Sequence, residues 1–244
     1  MSGNALTVAG RVMLQVVRDR RTIALLVIVP LVIASIVGVS IPDKSMLDYI
    51  APAMLATLIL FFGFLITGIS VLRERSQGTM ERLMASPISR MDVVAGYLLG
   101  FLVFALMQTL IIFFYMVYVL HIHFRGELWQ ILIFQVLIGI GAVCLGTFFS
   151  IFARNEFQMM QFIPLIILPQ IFLCGVLWPI SQMPDYLQWI AKFLPLNYGV
   201  DGIRTLMLQG QSLLDIGKDI GVLAAYAAAL LVLAALTLRR GASS

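Results

Sequence analysis

Charge is scarce in this chain: Asp, Glu, Lys and Arg make up 11% of its 244 residues. Soluble domains carry about 25%. With 61% hydrophobic residues, too little polar surface remains to dissolve a globular protein, and that class is excluded. Cysteine is scarce as well. Cys144 and Cys174 both fall inside apolar runs, so neither a disulfide framework nor a paired-cysteine metal site is expected. The two histidines, His121 and His123, sit in a short connection beside Glu127. A metal there would need more ligands, and solvation at a membrane interface is the plainer reading. No GxxxxGK[ST] loop is present to cradle nucleotide phosphates, and no HExxH or GxSxG. The chain is therefore not expected to be an enzyme by itself. Residues 1–21 hold Arg11, Arg18, Arg20 and Arg21 but no compact apolar core before a cleavage site, so no cleaved signal peptide is expected. The net charge of +4 comes from basic residues scattered along the flanks of apolar runs. No continuous basic face suggests nucleic acid.

What the chain has in abundance is long apolar runs. About 20 such residues cross the hydrocarbon of a bilayer as a helix. Six runs qualify: Thr22–Ile41, Tyr49–Leu72, Val93–Leu120, Leu128–Ala153, Phe162–Ile180 and Asp219–Leu238. The expected fold is an all-α, six-span polytopic membrane protein. Pro164 and Pro169 predict a kink or a partly unwound stretch in the fifth run. Six spans put both termini on one side, with Arg11, Arg18, Arg20, Arg21, Arg73, Arg75, Arg82, Arg90, Arg154, Arg239 and Arg240. The other side has only Lys44, Arg125, Lys192, Arg204 and Lys218. This imbalance of basic residues assigns the termini to the cytoplasm.

Over residues 5–21, Ala5, Leu6, Val8, Ala9, Val12, Met13, Val16 and Val17 recur at helical spacing, with Arg11, Gln15, Arg18 and Asp19 opposite. This predicts an amphipathic helix in the cytoplasmic interface, with packing on another subunit as the alternative. Ser181–Gly217 is too apolar for a solvated loop. Its Tyr186, Trp189, Phe193 and Tyr198 suit the headgroup region and predict two short external helices (about 181–210) separated near Pro195. No internal repeat divides the chain, so residues 1–244 read as one transmembrane domain.

Residues 73–92 form an island of mixed charge between two apolar runs, with Arg73, Arg75, Arg82 and Arg90 among Glu74, Glu81 and Asp92. Lipid penalises each of these groups, so the island belongs in water or against another protein. Gly78 can break the descending helix and Thr79 can cap the next one. Glu81 and Arg82 would project charge into a partner groove, where paired charges fix register. Pro87 would end the short helix. Within the spans, Gln108, Gln135 and Gln170 either face a path or bond neighbouring helices. Gly96 and Gly100, and more loosely Gly139, Gly141 and Gly146, predict close helix packing. The near-absence of ionisable groups in the spans counts against an ion-coupled carrier and suits amphipathic or lipid-like cargo.

The run Arg73-Glu74-Arg75, Gly78-Thr79-Met80-Glu81-Arg82-Leu83, Ser86-Pro87 and Arg90, continuing into Gly96-Tyr97-Leu98-Leu99-Gly100, resembles the type-2 ABC transporter permeases. These are membrane subunits of bacterial exporters of drugs, polysaccharides and related cargo. Met183-Pro184-Asp185-Tyr186-Leu187, Pro195-Leu196-Asn197-Tyr198, Asp201 and Arg204 resemble the family's stretch before its last span. The resemblance implies that Glu74, Gly78, Thr79, Glu81, Arg82, Ser86, Pro87 and Arg90 belong to a coupling helix seated on a separate ATPase. It implies that Pro195, Tyr198, Asp201 and Arg204 belong to an external cap. It further implies a homodimer or heterodimer in a bacterial or archaeal cytoplasmic (inner) membrane. ATP and Mg would be held by the partner ATPase, and this chain would bind no cofactor or metal of its own. A non-transporting scaffold or assembly factor and an ion-coupled secondary carrier are the alternatives.

Overall fold

The computed structural model describes residues 3–79 and 90–240, and among these every regular element is a helix. The chain runs as α1 (Gly3–Arg18), α2 (Arg20–Ser40), α3 (Lys44–Ser76), α4 (Arg90–Tyr118), α5 (Leu128–Ser150), α6 (Glu156–Leu173), α7 (Asp185–Ala191), α8 (Pro195–Arg204) and α9 (Gly217–Arg240). A single π-helical stretch, Thr205–Gln209, extends α8. Five stretches among the described residues are long and apolar enough to cross a membrane: Thr22–Ser40, Lys44–Ser76, Ala95–Tyr118, Leu128–Ser150 and Glu156–Leu173. This is a multi-pass membrane protein. The sixth expected span lies within α9, which is not among the five; the described side chains of α9 end at Leu233.

Local signals account for the helix ends. Asp43 caps α3 by accepting a bond from the Ser45 amide at 2.9 Å, and Asn155 caps α6 through the Gln158 amide at 2.8 Å. Asp19 separates α1 from α2 and takes bonds from both the amide and the hydroxyl of Thr22. Such side-chain acceptors satisfy amides that have no partner within the helix. The fifth span is placed differently from expectation. It begins earlier, at the Asn155 cap, and stops at Leu173, before Gly175 turns the chain with φ of +73°. It also stays helical through Pro164 and Pro169, with no unwound stretch.

The core is built from α3, α4 and α5, while α2 and α6 stand at the edge with mostly exposed apolar faces. α3 and α5 run side by side in the same direction along a seam of small residues. A Cβ on Gly63 would lie 2.8 Å from Ala142, and one on Gly146 would lie 2.5 Å from the Phe64 carbonyl oxygen. Only glycine allows backbones this close. A Cβ on Gly139 would meet Leu102 of α4 at 3.2 Å and Ile59 of α3 at 3.5 Å, whereas one on Gly141 would meet nothing within 4 Å. Gly96 and Gly100 do pack closely, and their partner is α1: their added Cβ atoms would lie 2.5 and 3.0 Å from the Cβ atoms of Val8 and Val12. Ala5, Val8, Ala9, Val12 and Val16 are thereby buried.

α3 has 33 residues. At 1.5 Å per residue it is about 50 Å long, against a hydrocarbon thickness of about 30 Å. The surplus allows its last turns to stand clear of lipid, and those turns carry the charge.

Candidate functional site

Arg73, Glu74 and Arg75 are consecutive on a helix, so their side chains leave the axis about 100° apart. They reach three different neighbours. Arg73 forks onto Glu156 at the start of α6, Nε to Oε1 at 2.5 Å and Nη2 to Oε2 at 3.1 Å. Its Nη1 also approaches Asp19 Oδ2 at 3.5 Å. Arg75 Nη1 donates to the carbonyl of Ser150 at 2.9 Å, at the C-terminus of α5, where the helix dipole favours a cation. Glu74 points inward and is 3% exposed. One oxygen, Oε2, accepts from Arg11 Nη2 of α1 at 2.7 Å and from the Tyr97 hydroxyl of α4. A single turn of α3 thus binds α1, α4, α5 and α6, together with the α1–α2 junction.

Just beyond, the helix is closed off. The Gln77 and Gly78 amides bond back to Arg73 and Arg75 carbonyls at 3.0 and 3.2 Å, and Gly78 takes φ of +67°, a region where a Cβ would be strained. The Thr79 hydroxyl donates to the Glu74 carbonyl at 3.0 Å. Thr79 therefore caps the helix that is ending. Glu81, Arg82, Ser86 and Pro87 lie outside the described residues, and Arg90 is the first residue of α4.

At the other end of the bundle, Arg204 is half-buried at the end of α8. Its Nε donates to the Tyr49 carbonyl at 3.1 Å and Nη2 to the Val176 carbonyl at 3.4 Å. The guanidinium lies 3.7 Å from the Tyr49 ring centroid, close enough for a cation–π contact. Burial holds the Arg204 pKa below its ordinary value, opposed by Tyr49 and Asp201. Pro195 opens α8 and is buried, Tyr198 donates to the Lys192 carbonyl at 2.8 Å, and Asp201 is exposed. Gln170 binds this end together: its Nε2 donates to the Ile166 carbonyl at 3.0 Å and its Oε1 accepts the Leu196 amide at 3.3 Å. That amide is one of the unpaired donors at the start of α8. Gln108 and Gln135 are buried in the core, and Gln108 Nε2 and both amide atoms of Gln135 have no hydrogen-bond partner among the described residues.

His123 pairs with Asp48, Nδ1 to Oδ2 at 3.3 Å, and the described residues contain no cluster of metal-ligating groups. The partners that sequence reasoning missed are Arg11, Asp19, Tyr97, Ser150 and Glu156. Arg11 sits at the edge of the α1 apolar face and Tyr97 directly follows Gly96, but no spacing in the sequence links either residue to Glu74.

A family profile described as ABC-2 type transporter matches residues 4–208. Among similar proteins, "ABC transporter G family member 20" of Dictyostelium discoideum is 25% identical over 172 residues, 70% of this chain and 24% of that protein. "Probable multidrug ABC transporter permease YbhR" of Escherichia coli (strain K12) is 27% identical over 172 residues, 70% of this chain and 47% of that protein. "Linearmycin resistance permease protein LnrN" of Bacillus subtilis (strain 168) is 28% identical over 159 residues, 65% of this chain and 41% of that protein. The chain thus spans less than half the length of the curated relatives it matches.

Proposed function

This chain belongs to the ABC-2 type transporter family, and from that premise we propose that it is the transmembrane permease subunit of an ATP-driven exporter. It spans the membrane six times, with α9 as the sixth crossing and both termini in the cytoplasm. It pairs as a homodimer or heterodimer of permeases and docks onto separate ABC ATPase subunits, which hold ATP and Mg. The segment between α3 and α4 is the coupling element. Glu81, Arg82, Ser86 and Pro87 face the ATPase, while Gly78 and Thr79 end the descending helix and Arg90 opens the ascending one. Pro195, Tyr198, Asp201 and Arg204 belong to the external cap. The cargo class is drug, lipid or glycan. Relatives named for multidrug transport and linearmycin resistance support the drug branch of that choice.

The observation that carries the reading is the turn Arg73–Glu74–Arg75, which ties α1, α4, α5 and α6 to the root of that segment. A displacement there reaches most of the bundle at once. ATP-driven closure of the ATPases then biases a two-state permease between inward and outward openings. The placement of Glu74 gives it a specific part. A buried carboxylate held by two helices does not reach out to a partner, so it carries motion from the segment into the bundle. Co-purified with an ATPase encoded beside it, the wild-type chain is expected to show cargo-stimulated ATPase activity. Glu81→Ala with Arg82→Ala is expected to abolish the stimulation. Unchanged complex formation and stimulation in that double variant would sink the assignment.

A further inference from the structure

Glu74 lies near the end of α3 and Tyr97 lies near the start of α4, so the bond between them closes the base of the connecting segment. The same carboxylate oxygen also takes Arg11, and α1 seats Val8 and Val12 against Gly96 and Gly100 one turn apart. The two roots of the segment and the N-terminal helix therefore meet at one buried atom. Arg11 reaches this point from the side of α1, with its Nε buried and unpartnered among the described residues. Apolar packing alone lets two helices slide by small amounts, because dispersion contacts have little directionality. Directional bonds to a shared oxygen fix one register among three helices.

The geometry points to α1 as a moving part of the transmission machinery, with Arg11 and Tyr97 as positioning residues that make α1, the end of α3 and the start of α4 one rigid body. This rests on the coupling role given above to the segment between α3 and α4. Motion imposed on that segment is delivered to α1, and through the Asp19 junction to α2, without loss at a hinge. The triad's value is in register rather than in stability, since buried ion pairs replaced by apolar groups of similar volume are often as stable or more so.

That distinction supplies the test. Glu74→Met alone leaves the Arg11 charge without its carboxylate and should lower the melting temperature in detergent. The triple variant Arg11→Met, Glu74→Met, Tyr97→Phe should recover the melting temperature and still bind the ATPase. Its ratio of cargo-stimulated to basal ATPase activity should fall about tenfold, within the usual range of a coupling free energy. A triple variant that couples like the wild type makes the triad a mere staple and overturns the inference. If instead the wild-type complex shows no cargo-stimulated ATPase activity under any condition, the exporter reading itself fails, and this inference fails with it.

Discussion

The two ends of the bundle are each held by an arginine, but in different chemical terms. Around Arg73, side chains of opposite charge meet: Arg73 with Glu156 and Asp19, Arg11 with Glu74. Around Arg204, a side chain meets main-chain carbonyls, those of Tyr49 and Val176. Gln170 and Tyr198 follow the same habit there, bonding to the Leu196 amide and the Lys192 carbonyl. A carbonyl is a fixed acceptor that cannot be charged, screened or drawn off by an incoming partner. An ion pair can be all three. The contacts of Arg73 therefore answer to the charge and salt around them, and the contacts of Arg204 do not.

The largest effect that sharpens this contrast is expected from Glu74→Ala. It strands Arg11 next to a buried site and should cost about 3 kcal/mol, the low end for breaking a buried pair because Arg11 stays partly solvated. Equilibrium unfolding in mixed micelles measures it, and a loss below that of any Arg204 variant would reverse the ranking of the two ends. Arg204→Met should cost about 2 kcal/mol through two lost hydrogen bonds and the ring contact, and the loss should be the same in low and high salt. Arg204→Lys should recover less than half of it, since an ammonium cannot fork onto two carbonyls.

Arg73→Ala should cost under about 1 kcal/mol, because its pairs are half exposed. That small loss should vanish as salt shortens the screening length. A salt-independent loss would erase the difference between the ends. The smallest effect concerns the Asp43 cap, where the Ser45 hydroxyl, then its amide, holds the carboxyl below its ordinary pKa. The cap is fully present above the pKa of a free carboxylate and is lost as pH falls through the lowered value. Hydrogen exchange at the Ser45 amide should therefore show protection lost on acidification, with no such step in Asp43→Ala.

The apolar runs were legible in the sequence because hydrocarbon thickness sets span length, and the end of α3 because Gly78 marks it with local chemistry; the caps at Asp43 and Asn155 were not read there. The α1 amphipathic pattern was legible for Ala5, Val8, Ala9, Val12 and Val16, which are buried, but not for Leu6 and Val17, which are exposed. The limits lie where the signal is not local. Nothing between residues 11, 74 and 97 announces that one carboxylate joins them, since side-chain pairing across three helices depends on how the helices pack. The fifth span was misplaced because the Asn155 cap lies outside the most apolar window; the unwound stretch expected at Pro164 and Pro169 is absent because the helix continues through both. Gln108, Gln135 and Gln170 look alike in sequence, but only Gln170 lies beside a helix start whose amide it can take. Small residues gave the right kind of contact with one wrong member: Gly139 and Gly146 pack closely, whereas Gly141 takes no part.

α3 is gripped at three places along its length: Tyr49 under Arg204, the glycine seam around Phe64 and Gly68, and Glu74 in its triad. The middle grip sets the Gly146 position against the Phe64 carbonyl and the Gly68 amide, with the Met159 side chain closing over Gly68. Its centre lies about 25 Å from Tyr49 and about 12 Å from Glu74, by the helical rise. A rod held at both ends and in the middle has no free end to swing, so α3 can shift only as a whole or by giving up one of the three contacts.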